Sequence, residues 1–156
     1  ASMKMNKPKY DYIKSNQKTK FEDQDKKINL IAGKFENVEG PIKGHNVEPI
    51  YFDIELNDNK KISLTVPETH NSFVYLLKGD LKIGSQNHEK INDSTLVLLE
   101  KGSSLEILAN KKSKFLFIAG KPIGEPIARG GPFVMNTKAE ILQAIQDYNN
   151  GTFAKY

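Results

Sequence analysis

The segment from Phe115 to Phe153 constrains the fold of this chain more than any other part. It begins with an apolar stretch typical of a strand, passes through a loop rich in Pro and Gly, and ends in a capped helix. Proline fixes φ and removes a backbone donor, whereas glycine admits backbone shapes that other residues resist. A loop with this many local restraints follows one path, so we expect it to dock an element or to present a surface.

The helix is predicted from its caps and from its apolar spacing. Thr137 followed three residues later by Glu140 forms a capping box, in which each side chain bonds an unpaired amide of the other residue. Gly151 stands where a left-handed residue commonly ends a helix. Apolar residues recur between these caps at helical spacing: Ile141, Leu142, Ile145 and Tyr148. We expect this stripe to pack on the outside of a sheet.

Upstream of the helix, short segments have the alternating polarity of strands with one buried face. In Ile50–Leu56 every second residue is apolar, and Asn57–Asn59 then marks a turn. A hairpin turn is predicted at Lys78-Gly79-Asp80. Further strands are predicted at 62–66, 73–77, 81–83, 95–99, 105–108 and 115–118, with residues 110–113 separating the last two. This spacing indicates an antiparallel barrel or sandwich.

Length and composition indicate one globular domain. The chain has 156 residues, of which 38% are hydrophobic and 27% charged. Residues 1–27 are polar and are predicted to form a flexible lead or linker, 28–119 the barrel, and 120–156 the constrained loop and helix of the same domain. No apolar run reaches the length of a membrane span or of a signal peptide, which favours a cytoplasmic location and no membrane partner.

Charge and cysteine usage exclude several classes of function. The net charge of +4 comes from lysines spread among acidic residues, and the chain has no Trp on which bases could stack. We therefore expect a solvated lysine-rich surface rather than a nucleic-acid interface. The absence of Cys excludes disulfides, thiolate metal sites and cysteine nucleophiles.

Five segments resemble the pirin family, whose members contain two cupin-type barrels in one chain. They are Lys4–Tyr10, Ile31–Gly33, Gly40-Pro41, Pro67–Gly79 and Phe115–Phe153. The likeness spans nearly the whole chain but only about the second half of a typical pirin. It implies an all-β fold, an antiparallel cupin-like barrel (a double-stranded β-helix or jelly roll) with one carboxy-terminal helix.

The iron centre of the family is not expected in this chain. The resemblance implies that the ligands lie in the first barrel, on a His-x-His pair and a later His-x-Glu. An iron site needs about three converging side chains, and the three histidines here, His45, His70 and His88, form no such pair. We assign no catalytic residue and no metal ligand, so iron would belong to the missing first barrel.

Three candidate binding residues lie within the segment Pro67–Gly79: Glu68, His70 and Tyr75. Glu68 and His70 are two residues apart and would share a face on a strand, with His45 or Glu48 approaching from a loop. The competing interpretation makes His70 a polar residue with hydrogen bonds at the barrel rim, and places His45 and His88 in exposed positions.

Arg129 is the fourth candidate. It is the only Arg among 23 basic residues and lies inside the constrained loop. Its planar fork suits bidentate binding of a carboxylate or of carbonyls. The competing interpretation is structural, with Arg129 holding the loop to the barrel through Glu125 or a backbone carbonyl.

We expect the chain to be the non-catalytic second-barrel half of a pirin-like protein, a structural and interaction domain beside a metal-bearing first barrel. Its partner would be that barrel, a second copy of this chain, or a regulatory protein. One alternative is a cupin dioxygenase, similar to quercetin 2,3-dioxygenase, with a remodelled site near His70. A third is a basic regulatory or nucleic-acid-associated binding protein.

Overall fold

The structure, a computed structural model, describes residues 3–17, 19–43, 46–84 and 89–153. The chain divides into two compact units. The larger, which we call the barrel unit, is Ile13–Pro122, and the smaller combines the described parts of Ala1–Tyr12 and Ile123–Tyr156. Among the described residues, no helix has the length and hydrophobicity needed to cross a bilayer.

The barrel unit is built of antiparallel strands, preceded by a 3₁₀ turn at Ser15–Gln17. Its strands are β1 (Thr19–Glu22), β2 (Lys26–Ala32), β3 (Lys34–Phe35), β4 (Val38–Glu39), β5 (Ile50–Leu56), β6 (Lys61–Thr65), β7 (Asn71–Ile83), β8 (Glu89–Asn92), β9 (Thr95–Leu99) and β10 (Ser104–Gly120).

Two long strands, β7 and β10, form the centre of the main sheet. The strand order is β1-β2-β5-β10-β7-β8, with β6 also paired to β10 and β9 also paired to β7. The beginning of β10 pairs with β6 and its end with β5. In the same way, β9 pairs with the beginning of β7 and β8 with its end. The predicted antiparallel β architecture with one late helix is confirmed.

The predicted hairpin turn at 78–80 is wrong, because these residues lie inside β7. Gly79 has φ +127°, and a Cβ built on it would lie 2.5 Å from Ser113 Cβ and 2.6 Å from Ser113 Cα. The glycine therefore permits close approach of β10 rather than a reversal of the chain. Residues 110–113, predicted to separate two strands, likewise lie inside β10, where the register shifts between Ala109 and Lys114 mark bulges.

The barrel unit begins earlier than predicted. Part of the expected lead, residues 19–27, forms β1 and the start of β2, and these two strands pair from Thr19 to Glu22. The Phe21 ring meets the Phe35 ring edge-on at 5.1 Å between centroids. Phe21 is flanked in sequence by lysines and acidic residues, so no apolar alternation indicated a strand there.

Apolar side chains fill the interior of the barrel unit. Phe115, Phe117 and Ile54 are fully buried, and the Phe52 and Phe117 rings lie 6.1 Å apart. Nineteen of the described residues form this core: Ile28, Leu30, Phe52, Ile54, Leu56, Ile62, Leu64, Val66, Val74, Leu76, Leu81, Ile83, Ile91, Leu105, Ile107, Ala109, Phe115, Phe117 and Ala119. The alternation predicted for Ile50–Leu56 is confirmed, since Phe52, Ile54 and Leu56 all belong to this core.

The smaller unit contains a short hairpin and the helix. Strands β11 (Ala128–Gly130) and β12 (Phe133–Met135) pair with each other, and α1 (Lys138–Asn149) contacts both. Ile141 and Ala144 are the buried helix residues, and Gly130 is small because a Cβ there would collide with Ile141. The predicted stripe is only partly right, because three of its members are 38–69% exposed: Leu142, Ile145 and Tyr148.

The predicted helix caps are confirmed. Thr137 Oγ1 accepts from Glu140 N (3.2 Å), and Glu140 Oε2 accepts from Thr137 N (2.7 Å). The Thr137 hydroxyl also donates to Glu140 Oε2 (3.0 Å), and this bond, followed by the one from the backbone, holds the pKa of Glu140 below its ordinary value of 4.5. Gly151 follows the helix with φ +70°.

Candidate functional site

His70 lies at the rim of the barrel unit, in the turn that joins β6 to β7. Its backbone N–H donates to Pro67 O (2.9 Å), which closes the turn. The side chain is buried, with the residue only 3% exposed. Nε2 bonds the backbone oxygen of Glu48 (2.9 Å), and Nδ1 lies 3.3 Å from Thr69 Oγ1. Both ring nitrogens therefore have hydrogen-bond partners within the protein.

These bonds hold a loop against the rim. Glu48 has φ +44°, an unusual conformation for a residue before proline, which normally favours extended backbone. Next to it, Val47 O accepts from Lys121 N (2.7 Å), and Lys101 Nζ donates to His70 O (2.8 Å) on the other side of the turn. The interpretation of His70 as a rim residue held by hydrogen bonds agrees with this geometry.

An open cavity of about 290 Å³ adjoins His70. Its charged groups are Glu39, Lys43 and Glu48, of which Glu39 and Lys43 pair at 2.6 Å with half or more of each side chain exposed. Its other lining residues are Gly33, Ile42, Pro49, Ile50, Pro67 and His70. Because exposed charges bind weakly in water, the cavity offers a ligand little beyond apolar contact.

The other residues of the predicted remodelled site are not brought together with His70. Glu68 is exposed while His70 is buried, so the prediction that they share a face is wrong. They lie in a turn, where the alternation of a strand does not apply. Glu48 reaches His70 through its backbone oxygen, not its carboxylate. His45 and His88 lie outside the described residues.

Tyr75 lies on a different part of the barrel unit. It is five residues beyond His70 along β7, about 16 Å at the rise of a strand. It is half-buried on the outer side of the sheet, between Leu96 of β9 and Leu116 of β10. Tyr75 and His70 therefore do not form one site.

The described residues do not fit an iron centre. No group of three or more His, Asp or Glu among them lies close enough to hold a metal ion. The barrel interior, where a cupin would place its ligands, is lined by the apolar core. A buried metal needs converging donor atoms, and aliphatic and phenyl side chains supply none.

Arg129 is exposed on β11, directly opposite Val134 of β12. Over the described part of the chain its guanidinium makes no hydrogen bond or ion pair, so holding the loop through Glu125 is not its role. Within the smaller unit this loop is held by Asn136, whose Nδ2 donates to Glu125 Oε2 (3.0 Å) and Pro126 O (2.8 Å). Sequence reasoning missed Asn136, although its place just before the N-cap was a usable signal. Ligand binding by Arg129 stays a prediction.

Arg129→Lys is expected to leave the melting temperature nearly unchanged. The side chain is exposed and anchors nothing in the described structure, and surface substitutions of this kind usually change stability by about 0.5 kcal/mol or less. Differential scanning calorimetry checks this, with Asn136→Ala as the matched variant that removes both loop bonds. If Arg129→Lys lowered the melting temperature more than Asn136→Ala does, Arg129 would be the residue that anchors the loop.

Asp53 on β5 is a half-buried polar residue that the sequence analysis did not single out. Its Oδ2 accepts from Asn29 Nδ2 (3.2 Å), and Lys114 Nζ lies 3.6 Å away. Its Oδ1 is shielded from water and has no hydrogen-bond partner among the described atoms. Neither the bond at Oδ2 nor the lack of one at Oδ1 could be inferred from sequence, because both depend on side chains of neighbouring strands.

Comparison with known proteins identifies the family. The model of the pirin carboxy-terminal cupin domain matches residues 51–154. Pirin-1 of Arabidopsis thaliana is 34% identical, with 96% of this chain and 53% of the relative covered. Human pirin is 33% identical, with 96% and 52% covered.

A solved structure gives the same result. The crystal structure named quercetin 2,3-dioxygenase from Acinetobacter baumannii is 32% identical and superposes with a TM-score of 0.78, covering 93% of this chain and 50% of that one. The chain thus spans about half the length of these relatives, and the predicted cupin fold is confirmed. This chain belongs to the pirin family.

Proposed function

We propose that this chain is a non-catalytic barrel of a pirin-family protein and acts as a structural and interaction domain beside a metal-bearing first barrel. The observation that carries the proposal is the filling of the barrel interior by nineteen apolar residues. Most inward-pointing positions on β5, β7 and β10 are aliphatic or aromatic, as Phe52, Val74 and Phe117 are. The buried polar residues on these strands are Ser72 and Ser113.

An interior of this kind stabilises the fold and leaves no space for a catalytic site. Burying a charged or polar ligand group among apolar side chains costs several kcal/mol unless a metal or hydrogen bonds compensate. His70, the one histidine among the described residues, has its ring nitrogens engaged with Glu48 and Thr69. The side chain that most resembles a ligand therefore serves to fix a loop.

The relatives support a role within a larger protein. The Acinetobacter chain named quercetin 2,3-dioxygenase is about twice as long as the part that this chain matches. We infer that an oxygenase activity in such a protein resides in the other half, with this half supporting it. Iron, if bound, would then be held by the partner barrel.

Oxygen consumption with quercetin tests the proposal. The chain supplied with Fe(II) is expected to consume oxygen no faster than Fe(II) and quercetin alone. Faster uptake that disappears in His70→Gln would establish the alternative, a dioxygenase with its site at the rim. Uptake above background that survives His70→Gln would also contradict the proposal, and would place the activity elsewhere in this chain.

A further inference from the structure

A cavity of about 350 Å³ adjoins strands β2 and β5 of the barrel unit. Its polar lining residues are Thr19, Asn29 and Asp53. Apolar residues make up the rest of the lining, among them Ile13, Ile31 and Pro41. Sites for small molecules have volumes of about 300–1,000 Å³, and most are apolar with a few polar groups. The cavity therefore has the size and the composition of a site for a small ligand.

Asp53 is the one charged residue among those that line this cavity in the described structure. The Lys114 ammonium lies 3.6 Å from the Asp53 carboxylate and equally far from that of Glu55. One ammonium is thus shared between two carboxylates, and neither distance is that of a hydrogen bond. In the register of β2 with β5, Glu55 lies opposite Lys27, whereas Asp53 lies opposite the uncharged Asn29. The charge of Asp53 is therefore only partly neutralised by its neighbours.

The Asp53 carboxylate also has few hydrogen-bond donors around it. Asn29 Nδ2 donates to Oδ2 (3.2 Å), while Oδ1 is shielded from water and accepts no hydrogen bond from the described atoms. An ionised carboxylate can accept about four hydrogen bonds, so this one has capacity for more. Because part of the group is already out of water, an incoming donor displaces less water than at an exposed carboxylate. A positively charged donor suits it best, since charge-assisted hydrogen bonds are stronger than neutral ones.

We propose that this cavity binds a small organic ammonium ion, with the ammonium at Asp53 and an apolar body against Ile13, Ile31 and Pro41. Asn29 contributes a further acceptor, because its Nδ2 donates to Asp53 and its amide oxygen remains. An anion of the same size would meet the like charge of Asp53, and a neutral molecule would leave that charge only partly neutralised. The inference goes beyond the proposed function, because it concerns this cavity and not the barrel interior.

Titration of the chain with benzylamine at pH 7, where the amine is protonated, tests the inference. Nuclear magnetic resonance follows the backbone amide of Ile31 and the side-chain amide of Asn29 at the cavity. Benzyl alcohol is the matched probe, since it has the same ring and no charge. We expect benzylamine to bind at least about tenfold more tightly than benzyl alcohol. Equal affinity for the two probes, or no binding of benzylamine at about 10 mM, would overturn the inference.

Asp53→Asn removes the charge and keeps the shape of the side chain, and is expected to weaken benzylamine binding by at least about tenfold. Glu55→Gln is the matched control, because Glu55 is equally close to Lys114 but does not line the cavity. This control should change the affinity by no more than about twofold, since water and salt screen a charge outside the site. Equal weakening by both variants would show a general attraction of cations to this side of the sheet and would overturn a site at Asp53.

Ile31→Phe tests the cavity separately from the charge. The larger ring occupies part of the space while Asp53 stays, so benzylamine is expected to bind at least about tenfold more weakly. This variant also decides the outcome if Asp53→Asn does not fold. Binding of benzylamine to Ile31→Phe with the affinity of the parent chain would place the amine outside the cavity and overturn the inference, while the proposed function would be unaffected.

Discussion

Gly79→Ala is expected to destabilise the barrel unit by about 3 kcal/mol or more. The new Cβ would lie 2.5–2.6 Å from Ser113 Cβ and Cα, in the middle of the strand pair β7–β10. Backbone atoms cannot move aside without separating the two central strands. The φ of +127° adds strain, since side chains rarely tolerate this conformation. Urea unfolding followed by circular dichroism measures the loss.

Gly102→Ala is the matched control for Gly79→Ala. Its φ is not left-handed, and the nearest atom to a Cβ built there is Ser104 O at 3.9 Å. We expect a change within about 0.5 kcal/mol for this surface position. If both alanine variants unfold at the same urea concentration as the parent chain, the close approach of β7 and β10 at Gly79 is wrong.

His70→Leu is expected to cost about 2 kcal/mol of stability. Leucine has a similar volume but cannot donate, so Glu48 O loses its partner at the buried rim. The loop that contains Glu48 and its left-handed backbone would then be less firmly held. Thermal unfolding measures the loss of stability, and hydrogen exchange at the amides of residues 46–48 measures the loosening of the loop.

Glu68→Gln provides the comparison for His70, because Glu68 is exposed in the same turn. It is expected to leave unfolding unchanged within about 0.5 kcal/mol. A His70→Leu protein as stable as Glu68→Gln would show that the ring bonds hold nothing, and the role of His70 would then have to be sought in ligand binding.

Local patterns predicted the parts of the fold that depend on neighbours in sequence. The alternation in Ile50–Leu56 placed Phe52, Ile54 and Leu56 in the core, and Thr137 with Glu140 fixed the start of α1. Each of these signals is contained in a few consecutive residues. The family resemblance then supplied the barrel, which alternation alone leaves open between a barrel and a sandwich.

Features that depend on contacts between distant strands were not predictable. Gly79 has the local sequence of a turn, and only the approach of Ser113, 34 positions later, makes it a site of close packing. β1 was not predicted, because the apolar contact of Phe21 is with Phe35, which is 14 residues away in the sequence.

The arrangement of Glu68 and His70 was not predictable for the same reason. Glu68 and His70 lie in a turn rather than on a strand, and the partner of His70 is a backbone oxygen 22 residues away. Sequence alone could name His70 as a rim residue with hydrogen bonds but could not name Glu48 O or Thr69 as its partners.

Metal content tests most directly whether this barrel supports chemistry rather than performing it. The chain would be purified without an affinity tag or chelator from cells supplied with iron, nickel and zinc, and its metals counted by mass spectrometry. We predict a small fraction of one metal ion per chain, the same in the parent and in His70→Leu. One firmly bound transition metal per chain, lost in His70→Leu, would contradict the non-catalytic role.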